Sequence, residues 1–303
     1  MRKQFAKTLL EVAESDERVV VLLGDISVWL LRDFKTKFPK RIYNIGICEQ
    51  SMVSVGAGLA LNGLIPVLHS ITPFITERCY EQIKNDFGYQ KLGGNIISVG
   101  SSFDYAGLGC THHSYSDIAI IRSLPRTQIV YPASPIEFDL LFKQVYNNDK
   151  LTYFRLPAQS HLQQFSKEQI VLGKGIKIKE GKDITVVVTG PQLETVLNAV
   201  KILEKEEINP EIIYIHTIKP LDENIIKESA EKTKKILTIE EHNILGGLGD
   251  EVSRITDSIK DIELFRIGIN DEFIRDYGSY EDVCERIGLT PDLISKKIKD
   301  ILK

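Results

Sequence analysis

The chain of 303 residues predicts an α/β protein of two domains, each a mainly parallel sheet flanked by helices. Three observations predict it. Short apolar runs such as Val19-Val20-Val21-Leu22-Leu23 are unbroken, as in strands covered on both faces. Stretches of helical spacing alternate with them, the pattern of a parallel sheet with crossover helices. The rhythm lapses once, among Pro157, Gly173, Gly175 and Gly181, before a second series begins.

The elements follow in order. Phe5, Ala6, Leu9, Leu10 and Ala13 recur at helical spacing and place a helix over 3–14. Strand 19–23 runs into Gly24-Asp25. Strand 42–47, helix 50–62, strand 65–70, helix 73–87, strand 95–99, helix 116–123, strand 128–131, helix 135–147 and strand 152–155 continue the alternation. The first domain is expected over 1–160, a linker over 161–182 and the second domain over 183–303. That domain reads as strand 183–189, helix 192–207, strand 210–216, helix 222–233, strand 235–240, a helix from Gly246-Gly247-Leu248-Gly249 to about Ile259, strand 262–267 and helix 291–302. The length suits one large or two medium domains.

Composition narrows the function. Hydrophobic residues are 43% and charged residues 26%, the balance of a globular chain. A net charge of −4 gives no electrostatic case for nucleic acid or an anionic membrane. Cys48, Cys79, Cys110 and Cys284 are scattered without metal-ligand pairing and read as reduced thiols of a cytoplasmic protein. Met1–Lys7 has no apolar signal core, and no run is long enough to span a bilayer.

Ligands of open parallel sheets sit at the carboxyl ends of the strands. Asp25, Glu49, Phe74, the loop Gly107–His113 and Arg155 all fall at such ends. Glu49 stands where an apolar strand gives way to a helix rich in glycine and alanine. Burial in apolar company favours the neutral acid, which can donate a hydrogen bond to a ring nitrogen. A first-turn acid favoured by the helix dipole is the alternative. Asp25 reads as a ligand or as a turn acid. Phe74 reads as a cofactor platform or as core. His112 and His113 suit acid–base work but are too few for a metal site. Arg155 reads as a phosphate ligand or as one half of an ion pair. Gly246-Gly247-Leu248-Gly249 lacks the full dinucleotide fingerprint.

A longer ordered set carries a resemblance. Gly46-Ile47-Cys48-Glu49-Gln50, Ala57-Gly58-Leu59-Ala60 and Gly63-Leu64-Ile65-Pro66 come first. Arg78–Ile83, Thr111-His112-His113, Asp117-Ile118-Ala119, Leu124-Pro125, Pro132-Ala133-Ser134 and Phe154-Arg155 follow. The second half adds Pro220-Leu221-Asp222, Glu240-Glu241-His242 and Gly246–Gly249. Together these resemble the pyrimidine-binding and C-terminal domains of the transketolase family over nearly the whole chain.

The resemblance implies a thiamine diphosphate enzyme subunit that transfers a two-carbon ketol unit between sugars. It implies that the glutamate matching Glu49 hydrogen-bonds a pyrimidine nitrogen and drives cofactor activation. It places Asp25 and Phe74 near the cofactor and His112 among substrate oxygens and proton transfers. It makes Arg155, with Arg2, a ligand of the sugar phosphate. The family's diphosphate and metal motif has no counterpart here. A separate N-terminal subunit is therefore expected, holding diphosphate and Mg2+ or Ca2+, in a heterotetramer with two copies of each chain.

The chain also departs from the family. Leu108 and Cys110 stand where it places Asp and Pro, in a loop that reads as shortened. Trp29 lies about where it has a phosphate-contacting serine, and its stacking aromatic is shifted by one position to Phe74. A more specialised sugar is thus expected. An activity like that of deoxyxylulose-phosphate synthase or a 2-oxoacid dehydrogenase β subunit stands as the alternative, with a non-catalytic scaffold beside it.

Overall fold

Every strand of the first half carries its carboxyl end to one edge, and that edge positions the candidate residues. The computed structural model describes residues 1–303. The chain runs α1 (Arg2–Ser15), β1 (Val19–Leu23), α2 (Arg32–Lys37), β2 (Ile42–Asn44), α3 (Glu49–Leu61), β3 (Ile65–Ile71) and α4 (Thr72–Ile75). It continues through α5 (Tyr80–Gln82), a π-helical stretch (Ile83–Tyr89), β4 (Gly94–Val99), α6 (Asp117–Arg122), β5 (Thr127–Val130), α7 (Pro135–Val145) and β6 (Leu151–Leu156). The second half has β7 (Ile176–Lys179), β8 (Thr185–Thr189), α8 (Gln192–Leu203), β9 (Glu211–Ile215), β10 (Thr217–Lys219) and α9 (Glu223–Thr233). It ends with β11 (Lys235–Asn243), α10 (Leu248–Thr256), β12 (Glu263–Ile269), α11 (Tyr280–Ile287) and α12 (Pro291–Leu302).

Two mainly parallel sheets result, as the sequence predicts. The first has the order β10-β5-β6-β4-β3-β1-β2, the second β12-β11-β8-β9-β7. All five residues of β1 are buried, and so are all six of β4 and of β6. Covering helices on both faces explain the unbroken apolar runs. One sheet face packs on α1 and α7 through Phe5, Leu9, Phe138 and Phe142. Residues of both halves share the core on the other face, where Ile118 and Tyr131 belong to one cluster with Leu248 and Val252. Helix α3 seats on β3 because it is small there: a Cβ on Gly56 would come within 2.7 Å of Leu68.

Several elements differ from expectation. The helix read over 73–87 is broken into α4, a turn at 76–79, α5 and the π-helical stretch. Polar side chains bend it: Thr76 Oγ1 donates to the Thr72 carbonyl at 2.7 Å and Cys79 Sγ donates to the Phe74 carbonyl at 3.1 Å. Ile45–Ile47 leave the strand after Asn44, and the helix from Gln192 stops at Leu203. The stretch read as a linker holds β7, which pairs antiparallel with β9. Strand β10 leaves the second half and pairs antiparallel with β5 in the first sheet. Neither alternates long enough to stand out.

The apolar core that the halves share has buried polar groups beside it. Glu240 accepts from the amides of Leu248 and Gly249 at the start of α10, at 2.7 and 2.8 Å. Burial pushes its carboxyl up to about 7. Burial, with the charge of Glu241 beside it, does the same for Asp104, also up to about 7. An acid held above its unfolded value of about 4 binds an extra proton in the native state. These two groups therefore stabilise the fold at acidic pH, and that contribution is lost as pH rises through about 7. Thermal melts should show Tm falling between about pH 4 and 7, and Asp104→Asn with Glu240→Gln should flatten that fall. An unchanged slope in the double variant would remove these acids as its cause.

Candidate active site

Glu49 opens α3 and is fully buried, although it stands at the sheet's open edge. Its company is not the apolar one expected from sequence. Ser70 Oγ donates to Oε1 at 2.8 Å and Arg78 Nη1 donates to Oε2 at 2.6 Å. Both oxygens accept, and the guanidinium supplies a charge-assisted partner. The Glu49 side chain thus meets the Arg78 guanidinium, because the turn at 76–79 brings Arg78 back over α3. Gly24, at the end of β1, forms the wall behind: a Cβ there would lie 2.8 Å from Ser70 Oγ and 3.2 Å from Glu49 Oε1.

Phe74 and His112 join this cluster. The Arg78 guanidinium lies over the half-buried Phe74 ring at 4.3 Å, so one cation spans Glu49 and an aromatic face. The His112 ring meets Phe74 edge-on at 5.2 Å. Thr111 Oγ1 lies 2.9 Å from His112 Nδ1. The loop is held below by Glu77, whose Oε1 accepts from Ser114 at 3.0 Å and Ser116 at 2.8 Å. Its neighbour His113 turns inward, is buried, and contacts the Ala106 carbonyl through Nε2 at 3.2 Å.

Asp25 is exposed and follows Gly24 directly. Asn44 holds it, donating Nδ2 to Asp25 Oδ1 at 2.8 Å and accepting from the Asp25 amide at 3.0 Å. Asp25 and Ser27 both take left-handed φ, 57° and 55°, costly for residues with a Cβ and frequent at functional loops. Arg2 lies beside them, donating Nη2 to Ser27 Oγ at 2.9 Å. Behind Ser27 is the buried His69, with Nε2 at 2.8 Å from Ser27 Oγ and Nδ1 at 2.8 Å from the Ile97 carbonyl. Burial pushes the imidazole down to about 4. It is neutral: Nδ1–H donates to the carbonyl and Nε2 accepts the Ser27 hydroxyl. The cluster thus assembles Glu49, Phe74, His112 and Arg78, while Asp25 and Arg2 are tied to Asn44 and Ser27 beside the end of β1.

Arg155 does not join it. It is fully buried and donates to Asp117 through Nε at 2.7 Å and Nη2 at 3.1 Å. Nη2 also donates to the carbonyls of Ser114 at 3.2 Å and Glu241 at 3.0 Å. The guanidinium stacks on Tyr131 at 4.5 Å. Its contacts here are those of the ion-pair reading, with Nη1 left without a partner. Sequence reasoning missed Ser70 and the use of Arg78. The spacing Phe74-x-x-x-Arg78 was the available signal for the second, and nothing marked the first.

The class is defined at this point: two parallel-sheet α/β domains, with a buried glutamate, an aromatic face and a histidine at the carboxyl edge of the first. Two family profiles match it, "Transketolase, pyrimidine binding domain" over residues 1–162 and "Transketolase, C-terminal domain" over 173–294. The chain belongs to the transketolase family. It is 33% identical over its full length to a Methanocaldococcus jannaschii protein provisionally assigned as a transketolase C-terminal section, of which it covers 96%. It is 31% identical, again over its full length, to one subunit of an apulose-4-phosphate transketolase from Phocaeicola vulgatus, of which it covers 97%. A solved split-gene transketolase, described as an inactive β4 tetramer, superposes with TM-score 0.88 at 31% identity, covering 99% of this chain and 97% of that one.

Removing the Arg155 cation would leave Asp117 charged and unpaired in the interior. Arg155→Met should lower unfolding free energy by about 3–5 kcal/mol, measured by urea denaturation. A change below about 1 kcal/mol would contradict the structural role.

Proposed function

We propose that this chain is the pyrimidine-side subunit of a thiamine diphosphate enzyme that moves a two-carbon ketol unit between sugars. The observation that carries the reading is Arg78. Its planar guanidinium makes two contacts at once, a hydrogen bond to Glu49 at 2.6 Å and a stack on Phe74 at 4.3 Å. A flat, nitrogen-bearing ring would use the same acid and the same face. The Arg78 side chain is about one-third exposed, at 34%, so it is free to swing aside. A side chain at Gly24 would press on Ser70 and on the Glu49 carboxylate itself, so the glycine keeps that acid in place.

When bound, thiamine diphosphate supplies the electron sink for making and breaking carbon–carbon bonds beside a carbonyl. The chain's own residues would do the following. Glu49 would hold a proton at a ring nitrogen, with Ser70 fixing its other oxygen. Phe74 would orient the ring by stacking, and Asp25 would lie near it. His112, on a loop anchored through Glu77, would hold or move protons at substrate oxygens. Arg2 is the cation suited to an anionic end of the sugar.

The names of the relatives support a two-subunit arrangement. The Phocaeicola relative is named as one subunit of its transketolase. So is another, 29% identical over 99% of this chain, a 6-deoxy-6-sulfo-D-fructose transketolase subunit. A heterotetramer with two copies of each chain is the assembly we propose. One observation favours a second reading. The chain is 32% identical over 98% of its length to a 1-deoxy-D-xylulose-5-phosphate synthase of Shouchella clausii, spanning about half (48%) of that protein.

The test is reconstitution with the N-terminal subunit, thiamine diphosphate and magnesium. The pair should turn over ketose donors while this chain alone does not. Glu49→Ala in the pair should cut kcat by about 10²–10⁴-fold, the usual range for a lost proton-transfer group. A loss under about threefold would sink the assignment of Glu49. Consumption of pyruvate with release of carbon dioxide, in place of ketose turnover, would favour the second reading.

A further inference from the structure

The two sheets end in four edge strands, and one of them is unlike the rest. Strands β2, β7 and β10 have three, four and three residues, short enough to offer little to another strand. Strand β12 has seven residues, Glu263–Ile269, and no proline. Its inner side is fixed by β11: the Glu263 amide donates to the Lys234 carbonyl at 2.9 Å, and the ladder runs in parallel register from there. In a parallel ladder alternate residues bond the same neighbour. Glu263, Phe265 and Ile267 therefore bond β11, and Leu264, Arg266 and Gly268 turn their N–H and C=O groups to the side where no strand lies.

That side is a groove and not a flat surface. A cavity of about 350 Å³ runs along Arg266–Gly268, with the end of α11 and one stripe of α12 as its walls. Leu293, Lys296, Lys297 and Asp300 make that stripe, at spacing i, i+3, i+4 and i+7. The other stripe of α12, with Ile294, Ile298 and Ile301, is buried in the second core against α8. The helix is thus anchored on one face and shows its other face to the β12 edge. The chain carries a net charge of −4, yet Lys296 and Lys297 are exposed and in no ion pair. The one acid of the groove, Asp300, pairs with Lys303 at 2.7 Å, and Arg266 is held by Asp250 at 2.6 Å.

We propose that the β12 edge is a docking site for a partner polypeptide, which adds an extended acidic segment to the second sheet and lays its carboxylates against Lys296 and Lys297. Backbone pairing supplies the affinity of such strand addition, and the side chains beside the edge select the sequence. A second copy of this chain is a poor occupant, because two β12 edges paired about a two-fold axis would set lysines against lysines. The site lies on the second domain, away from the Glu49 cluster, and stands or falls independently of the function proposed above.

The test titrates the full-length chain with three fluorescein-labelled peptides matched to the seven residues of β12 and followed by anisotropy. One alternates glutamate with valine. The second has lysine for every glutamate. The third keeps the glutamates but carries methyl groups on its backbone nitrogens, which removes the donors a strand needs. The first should bind saturably and at least about tenfold more tightly than the other two. Added salt should weaken it. At saturation, hydrogen exchange at the Leu264, Arg266 and Gly268 amides should slow by about tenfold or more, with β2 unchanged. Lys296→Glu with Lys297→Glu should weaken the acidic peptide by about tenfold or more while the circular dichroism spectrum is unchanged. No saturable binding of the acidic peptide would leave the lysines as guards of a bare edge and overturn the proposal. A lysine peptide that binds as well, or a methylated peptide that does, removes the charge or the strand pairing respectively, and either also overturns it. So does a dimer of this chain in sedimentation that the acidic peptide disperses, which would give the edge to a second copy.

Discussion

The buried pair of Arg155 and Asp117 is the interaction on which the rest of the structure depends. Arg155 sits at the end of β6 and Asp117 at the start of α6, so the pair ties a central strand to the loop that carries His112. The same guanidinium reaches the Glu241 carbonyl on β11, which belongs to the second sheet. Glu241 in turn accepts from Gln192 at 2.8 Å, from Tyr131 at 3.2 Å and from Tyr280. One cation thus fixes three elements relative to one another. A charge taken out of water is costly unless it is paired, and here Nε and Nη2 carry the pairing while Nη1 is buried without a partner.

This pairing explains why the site can be assembled from distant pieces. The His112 loop buries Phe103, Ala106 and Tyr115 in the second core, while Leu108 at its tip is 56% exposed. It is placed by polar anchors, Glu77 on one side and Asp117 with Arg155 on the other. On the facing side, the break in the helix after β3 returns Arg78 to Glu49. The seam between the two halves is therefore also the support of the site. The second domain is not a separate appendage, since its β11 holds the arginine that holds the loop.

The fold was largely legible in the sequence. Strands such as β1 and β4 are buried on both faces and therefore read as unbroken apolar runs. The positions of Glu49, Phe74 and His112 at one edge followed from the strand–helix alternation alone. What stayed hidden were contacts made by geometry. Arg155 reads the same whether it faces solvent or Asp117. Arg78 sits inside what looks like a continuous helix, and only the Thr76 and Cys79 hydrogen bonds to the preceding turn reveal the break. Short edge strands such as β7 and β10 carry too few residues for a period to show. The polar surroundings of Glu49 belong to the same class, because Ser70 lies on β3, twenty-one residues away.

The three residues of β10 have a consequence for the chain's history and handling. They belong to the downstream half but complete the upstream sheet, covering the outer edge of β5. Severing the polypeptide between its halves would strip that cover and leave a row of open amide and carbonyl groups, the kind of border that recruits foreign strands and clumps. Excision, swapping or independent expression of either half would have to carry that short ribbon along.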